Sequence, residues 1–544
     1  MASLAPAPAA SESFPAPLST PRAKLRVGVF ADRAQQPRWI VEALAKVAAS
    51  DFAELAVVCL DHRAAASRQP LLWQAYRRAD RRLFGGTDWS EPRDVQQLVP
   101  AARRTTLEAF SQPSPLTPHP MLDVAFALGD VDDAALAGLA RCGVWRYCFG
   151  DSHAIHEPLA GVREVIDSAP VTASGIRIHR DGGRPDRVVY QSWSRTLPLS
   201  VARSRENVFA KATEFVARAL RELHATGPSW LDKGTRAASP LSAQPVPDSV
   251  APLGDLARMG ARLARRGAQK ALGVEQWSLA FRFAPIESWD GSLAGFHRLQ
   301  PPKDRFWADP FPIQRNGKSY IFFEELAFGA GKAHISVIEV DRDGRASQPL
   351  KVLERDYHLS YPFLIEEQGQ LYMIPETASN NSVEIYRCLD FPRKWRRERA
   401  LLDGLFAVDA TPYRAQDRWW MFANVSSNGA EVHDELHLFS ADELLGEWKP
   451  HGRNPVKSDV RNARPAGGLF SHGHRLYRPA QICAPIYGAG VALNRVLRLD
   501  AGEFAEQEER RILPAAGSGV LGIHTLNRAG DLSVADAFMR RPRF

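Results

Sequence analysis

The residues best suited to chemistry recur in the C-terminal half at a period of about 50 residues, a spacing typical of blade-like repeats. Asp309 lies in Phe306-Trp307-Ala308-Asp309-Pro310-Phe311. Ser360-Tyr361-Pro362-Phe363, Asp409-Ala410-Thr411-Pro412-Tyr413 and Arg464-Pro465-Ala466-Gly467 follow, with prolines 310, 362, 412 and 465 marking the interval. Each segment precedes an aromatic-rich stretch with polar members: 320–324 ends on Glu324, 372–376 on Glu376, 420–424 on Asn424, and 477–481 holds Arg478 and Gln481. Gly522-Ile523-His524-Thr525 offers a fifth member, His524. Carboxylates, amides and guanidinium groups converging on one axis meet two needs of sugar chemistry, paired carboxyl groups for proton transfer and bidentate partners for hydroxyls. The alternative is that these side chains only cap turns.

What must position them is a set of short strands. Each aromatic stretch is followed by a third strand, at 334–340, 383–387, 435–440 and 491–499, with Gly-, Asn- and Asp-rich loops between. Three or four strands per repeat describe a propeller blade, and the spacing predicts five blades, with 277–283 supplying a closing strand from the other end of the domain. In an antiparallel blade the start of the inner strand and the end of the second share one face. Asp309, Asp409 and Arg464 are therefore expected at one mouth of the channel with Trp307, Glu324, Glu376, Asn424, Arg478, Gln481 and His524.

Upstream, 25–31 and 55–60 read as buried strands around a helical pattern at 38–49; strands at 122–128 and 143–149 flank a short helix at 134–140. This alternation predicts an open, mostly parallel sheet with ligands at the carboxyl ends of its strands. It contains no GxGxxG and no Walker loop. Residues 1–23, rich in Ala, Pro and Ser, read as a disordered tail. The expected organisation is multidomain: the tail, an α/β domain over 24–225, a linker over 226–255, a basic helix over 256–274 and an all-β propeller over 275–544. The stretch 256–272 carries Arg258, Arg262, Arg265, Arg266 and Lys270 on a narrow apolar face, a pattern that admits peripheral contact with an anionic membrane, while a solvated helix packed between domains is the plainer reading.

Composition sets outer limits. With 45% hydrophobic and 24% charged residues in 544, the chain is neither disordered nor fibrous. No apolar run approaches the ~18 residues of a membrane span. The five cysteines show no CxxC pair and no metal-ligand spacing, which excludes a disulfide framework and predicts reduced thiols in a cytoplasmic protein, with no metal assigned. The formal charge of +7 mildly favours anionic partners, but the basic residues do not interleave with aromatics as in nucleic-acid-binding modules, so no nucleic acid is expected.

At Trp307-Ala308-Asp309-Pro310-Phe311, Arg464-Pro465-Ala466-Gly467 and Leu476-Tyr477-Arg478-Pro479-Ala480-Gln481 the sequence resembles two groups of proteins. One is the five-bladed propellers of arabinanases, levansucrases and invertases; the other is the propeller domain of plant glucosamine inositolphosphorylceramide transferases and their bacterial relatives. The resemblance covers roughly residues 275–530. In the hydrolases a first-blade Asp is base or nucleophile, a third-blade Asp orients or stabilises, and a fourth-blade Glu is the acid. Asp309 and Asp409 match the first two, whereas the fourth blade offers only Arg464, Arg478 and Gln481. The proton would then come from Glu376 or Glu324, and the arginines could instead hold a phosphate or carboxylate bidentately. Ringed oxygen ligands would also admit Ca2+ in the channel.

Over roughly 24–225 the chain resembles the formyltransferase fold, a Rossmann-like architecture, carried by 143–151 and 162–192. That family's Asn, His and Asp correspond here to Arg146, Cys148 and Arg184. No arginine can be the base at neutral pH, and Asp151, His153 or His156 would have to be recruited. The leading expectation is a carbohydrate-active enzyme of glycan or glycolipid metabolism, performing glycosyl transfer or cleavage on a carbohydrate, nucleotide-sugar or glycolipid substrate. Here Asp309 is base or nucleophile, Glu376 the acid and Asp409 the orienting group. The alternatives are a non-catalytic glycan-binding or scaffold protein and a sugar N-formyltransferase.

Overall fold

Short apolar runs build the first sheet of this computed structural model, which describes residues 22–61, 71–111, 121–150, 160–236, 251–285 and 292–543. Leu25–Ala31 lies parallel to both Ala53–Leu60 and Val124–Leu128, and Val144–Phe149 extends the parallel run. Val171–His179 and Arg187–Arg195 then add antiparallel strands. Arg104–Thr106 lies parallel to Ala53–Leu60 at the far edge, so the sheet is mixed, and it is larger than the reading of 24–225 implies: Thr235–Arg236 is its eighth strand. Helix Val201–Thr226, capped by Ser200 at its start and Gly227 at its end, buries Phe209 and Phe215 against Trp39 and Tyr147. The tail 1–21 and the expected recruits Asp151, His153 and His156 lie outside the described residues.

The basic helix runs over Ala251–Leu272, earlier than expected, and passes directly into a strand at Gly273. It rests on the α/β domain: Met259 packs with Val162, Val165 and Ile166, and Arg262 donates to the carbonyls of Val165 and Ile166. Arg258 pairs with Asp255 and Arg266 with Glu275. Leu263 and Leu272 stay 51% and 70% exposed. Among the described residues no helix is long and apolar enough to cross a membrane.

Five sheets follow around one axis. Blade one comprises Arg305–Arg315, Lys318–Ala327, His334–Val340 and Leu350–Leu353; blade two comprises Ser360–Glu367, Gln370–Thr377, Ser382–Asp390 and Lys394–Asp403. Blade three comprises Ala407–Ala415, Arg418–Val425, Glu435–Ala441 and Lys449–Pro450. Blade four has a short inner strand, Phe470–His472, then Arg475–Ile482, Gly490–Leu499 and Phe504–Ile512. In blade five Val520–Gly522 and Leu526–Ala529 pair with Leu532–Pro542, which pairs along its whole length with Gly273–Phe283. That last ladder joins the two ends of the propeller and leaves no inner edge open. Apolar clusters fill the spaces between neighbouring blades, for example Phe322, Ile335 and Leu359 with Met373 and Tyr386 between blades one and two.

The inner strands begin before the prolines, at Arg305, Ser360 and Ala407, and the motifs sit on bulges. Ala308 pairs with Glu324 but Phe311 with Phe322; Ser360 pairs with Glu376 but Phe363 with Ile374; Val408 pairs with Asn424 but Thr411 with Phe422. The first residue of each bulge has positive φ: Asp309 at 51°, Tyr361 at 44° and Asp409 at 53°. The structural repeat is therefore 309, 361 and 409, and Pro412 lies two residues beyond the place Pro310 and Pro362 hold. Arg464-Pro465-Ala466-Gly467 forms no strand, only a bridge from Pro465 to Ala480.

The α/β domain seats on loops of blades three and four. Val460 N donates to the Trp193 carbonyl, Ser192 and Ser458 hydroxyls lie 2.8 Å apart, Lys211 meets Asp434 at 2.6 Å and Arg218 meets Glu435 at 2.5 Å.

Candidate functional site

A bulge inserts an unpaired residue and re-aims its side chain, and an Asp tolerates the left-handed backbone better than a branched residue does. Asp309 and Asp409 are delivered to the channel mouth in this way, both buried. Opposite each bulge, the second strand presents Glu324, Glu376 and Asn424. In blade four Gln481 N bonds to the Arg464 carbonyl, placing Gln481 in the same position.

Around Asp309 the mouth is a carboxylate–imidazole–carboxylate chain. Asp309 Oδ1 lies 2.9 Å from His524 Nε2 and accepts from Thr525 Oγ1 at 2.8 Å, while Oδ2 accepts from Tyr361 N at 3.2 Å. His524 Nδ1 lies 2.8 Å from Asp536 Oδ2, and Asp536 Oδ1 accepts the backbone N–H groups of His524 and Thr525. Burial opposes the charge on His524, but the Asp536 and Asp309 carboxylates overcome it and push the imidazole up to about 10. Burial likewise works against ionised Asp309, yet His524 beside it holds its carboxyl below the usual range.

Across the mouth the balance reverses. Burial pushes the Glu376 carboxyl well above the usual range, and the neighbouring Asp409 adds to the effect against Arg464. Among the described residues Glu376 Oε2 has no hydrogen-bond partner, and it lies 3.7 Å from Arg464 Nη2. Burial also raises Glu324, despite the His358 ring 3.1 Å from its carboxyl. Asp409 is tightly held: Arg464 Nε donates to Oδ2 at 2.6 Å, Arg464 Nη2 to Oδ1 at 3.3 Å and Gln481 Nε2 to Oδ2 at 2.8 Å.

Eight of the ten residues anticipated from sequence occupy the repeated mouth positions or bond directly to them: Asp309, Glu324, Glu376, Asp409, Asn424, Arg464, Gln481 and His524. Two do not join them. Arg478 is fully buried inside blade four, donating to Glu506 and to the carbonyls of Asn462 and Ala463, because it points to the opposite side of its strand from Gln481. Trp307 packs on Phe323 and donates to Glu325, away from the ring. Arg464 and Arg478 are thus each committed to a carboxylate, so neither is the open phosphate clamp their sequence context admits. Sequence reading missed Asp536, His358, His433, Tyr487 and Thr525. Asp536 was accessible in principle: it lies on the second strand of blade five, at the place of Glu324 and Glu376. His358, His433 and Tyr487 come from loops with no repeat to flag them.

Asp309, His524 and Asp536 are also the described residues whose metal-type donor atoms gather, within 4.8 Å of one another. Both ring nitrogens of His524 already face carboxylates, and a protonated imidazole stands where calcium would need oxygen ligands. In the α/β domain Arg146 donates to the carbonyls of Gly129 and Val131 and pairs with Asp133, and burial pushes the Cys148 thiol far above its ordinary value. Arg184 is exposed in the loop between Val171–His179 and Arg187–Arg195. None of the three supplies a base for formyl transfer.

Residues 298–518 match the family model described as glucosamine inositolphosphorylceramide transferase 1, N-terminal. Glucosamine inositolphosphorylceramide transferase 1 of Oryza sativa subsp. japonica is 32% identical over 205 residues, 37% of this chain and 27% of the relative. The Arabidopsis thaliana protein of the same name is 30% identical over 218 residues, 39% and 28% of the two chains. The chain thus spans little more than a quarter of the length of these curated relatives. Among solved structures, a family 117 glycoside hydrolase of Zobellia galactanivorans is similar at TM-score 0.31 and 12% identity, covering 48% of this chain and 90% of that one. A family 32 β-fructofuranosidase of Bombyx mori is similar at TM-score 0.32 and 14% identity, covering 43% and 55%.

Proposed function

We propose that the protein acts on a glycan or on the sugar portion of a glycolipid, with glycosyl transfer or cleavage at the propeller mouth. The observation that carries this reading is the opposite bias on two carboxyl groups in one ring: His524 beside Asp309 holds its carboxyl below the usual range, and burial with the neighbouring Asp409 pushes that of Glu376 well above it. Pairs of titratable groups driven apart by their surroundings mark acid and base assignments. Glu376 donates its proton to the departing glycosidic oxygen. Asp309 attacks the anomeric carbon or takes the proton of the incoming hydroxyl, and Asp409, fixed by Arg464 and Gln481, orients the sugar and balances developing positive charge. The names of the sequence relatives support a glycolipid substrate. Commitment of both arginines to carboxylates favours neutral hydroxyls, not a phosphate, as the group seated in the mouth.

The test is thermal stabilisation of the wild type and Asp309→Asn by arabinose, xylose, glucosamine, nucleotide sugars, phosphoinositol compounds and tetrahydrofolate, followed by turnover of the sugars that bind. Stabilisation by neutral sugars, altered in Asp309→Asn, supports the reading; stabilisation by folate alone overturns it and returns function to the α/β domain. A second reading, a non-catalytic glycan binder, is favoured by the amide and guanidinium of blade four in place of an acid. Sugar binding without turnover would establish it.

A further inference from the structure

Two propeller loops alternate between contacts to the mouth and contacts to the α/β domain. In the first, Asn428 donates to the Ala210 carbonyl and to Thr213, Glu431 accepts from Arg195 at 2.6 Å while its backbone N–H donates to Asn207, and Asp434 pairs with Lys211. Between Glu431 and Asp434 stands His433, whose Nδ1 lies 3.1 Å from Arg464 Nη1. In the second loop, Ser458 and Val460 bind Ser192 and Trp193, and four residues on Arg464 reaches Asp409. Lys211 and Asp434 are both buried, so the tie between loop and domain is shielded from water.

The contact with Arg464 fixes the chemistry of His433. A guanidinium has donors only, so Nδ1 must be the lone-pair nitrogen and the ring proton sits on Nε2. Burial and the nearby charges of Arg464 and Arg195 keep the ring from taking a second proton, holding it well below its ordinary value. The ring packs 5.2 Å from Tyr487, and Tyr487 lies 5.2 Å from His524. No described group accepts from Nε2.

We propose that His433 is a ligand-binding residue of the mouth, donating Nε2–H to a substrate oxygen, and that Arg195 and Lys211 are positioning residues through which the α/β domain holds it there. The proposal rests on the reading of the mouth as the site. It gives the α/β domain a part in that site without chemistry of its own.

The experiment uses the full chain labelled with 15N-histidine, with the His433 signals identified by their loss in His433→Phe. Long-range 1H–15N spectra of the wild type should show a neutral Nε2–H ring at pH 7 and still at pH 5.5. Arg195→Gln and Lys211→Met should convert it to a mixture of tautomers, and Arg195→Lys, which keeps the pairing with Glu431, should restore it. An Nδ1–H or doubly protonated ring in the wild type, or a spectrum unchanged in both variants, overturns the positioning. For the donor role, xylose, arabinose and glucosamine are titrated against the same proteins. His433→Phe should bind the sugar preferred by the wild type about five- to tenfold more weakly, the loss expected for one hydrogen bond, and His433→Gln should recover part of it. Equal binding by His433→Phe overturns the donor role. If no sugar binds the wild type, the reading of the mouth fails, and with it the donor role, while the spectra still decide the positioning.

Discussion

Glu376 and His524 occupy one mouth but owe their protonation to opposite causes. Burial pushes the Glu376 carboxyl well above the usual range, whereas two carboxylates outweigh burial at His524 and push its imidazole up to about 10. For a general acid the consequence is kinetic: Glu376→Gln should lower kcat by about 10²- to 10⁴-fold with little change in Tm, and activity of the wild type should fall on the alkaline side as the acid ionises. Steady-state rates across pH check both, and an intact alkaline limb in Glu376→Gln would assign the proton to Glu324. For His524 the consequence is stability. Its folded value of about 10 stands above the ordinary 6.5, so the folded state binds the proton more tightly and the contribution is complete below pH 6.5. It is lost as pH rises through about 10. Thermal unfolding at intervals from pH 6 to 10 should show the loss, and His524→Gln should lose less over that window.

At the level of the element, the bulge decides which way an aspartate faces. Positive φ at Asp309 and Asp409 costs little for Asp or Asn and more for a branched residue. Asp309→Asn keeps the backbone preference and loses only the ion pair with His524, while Asp309→Val should lose about 1–3 kcal/mol more stability from backbone strain; equal Tm for the two would remove the strain from the account. Arg478 provides the converse case, a motif position that holds strands together. Replacing it by Leu leaves Glu506 with Lys457 alone and the Asn462 and Ala463 carbonyls without their donor, and should cost about 1–3 kcal/mol. Sugar binding by the folded fraction should not change, and calorimetry together with titration separates the two effects.

At the level of the whole molecule, two supports hold the propeller. Its ends are joined by the ladder of Gly273–Phe283 with Leu532–Pro542, and its blade-three loops are pinned by Lys211, Arg218 and Arg195. The helix Ala251–Leu272 lies against the α/β domain with Leu263 and Leu272 outward, and Arg265 and Lys270 have no charged partner among the described residues. If this face meets lipid, vesicles containing phosphatidylserine should sediment the protein and neutral vesicles should not. Arg265→Glu with Lys270→Glu should then abolish co-sedimentation at low salt.

How much of this was legible beforehand follows from what each signal depends on. Repeat spacing and alternating apolar strands are local properties, so the sequence by itself determined a propeller of five blades, its closing strand and eight of the mouth residues. The α/β pattern at 25–60 was legible for the same reason, whereas the eighth strand, Thr235–Arg236, was hidden in a stretch composed like a linker. Local composition could not distinguish Arg464, on a segment outside the strands of blade four, from Arg478, on its second strand and facing away from Gln481. Nor could it align Pro412, whose offset depends on where the bulge falls in the cross-strand register. Only the tertiary structure decided the protonation of Glu376 and His524, because burial and the approach of Asp409, Asp309 and Asp536 come from strands far apart in the chain. The placement of His433 under the hold of another domain belongs to the same class, since no property of its own loop encodes the residues it meets.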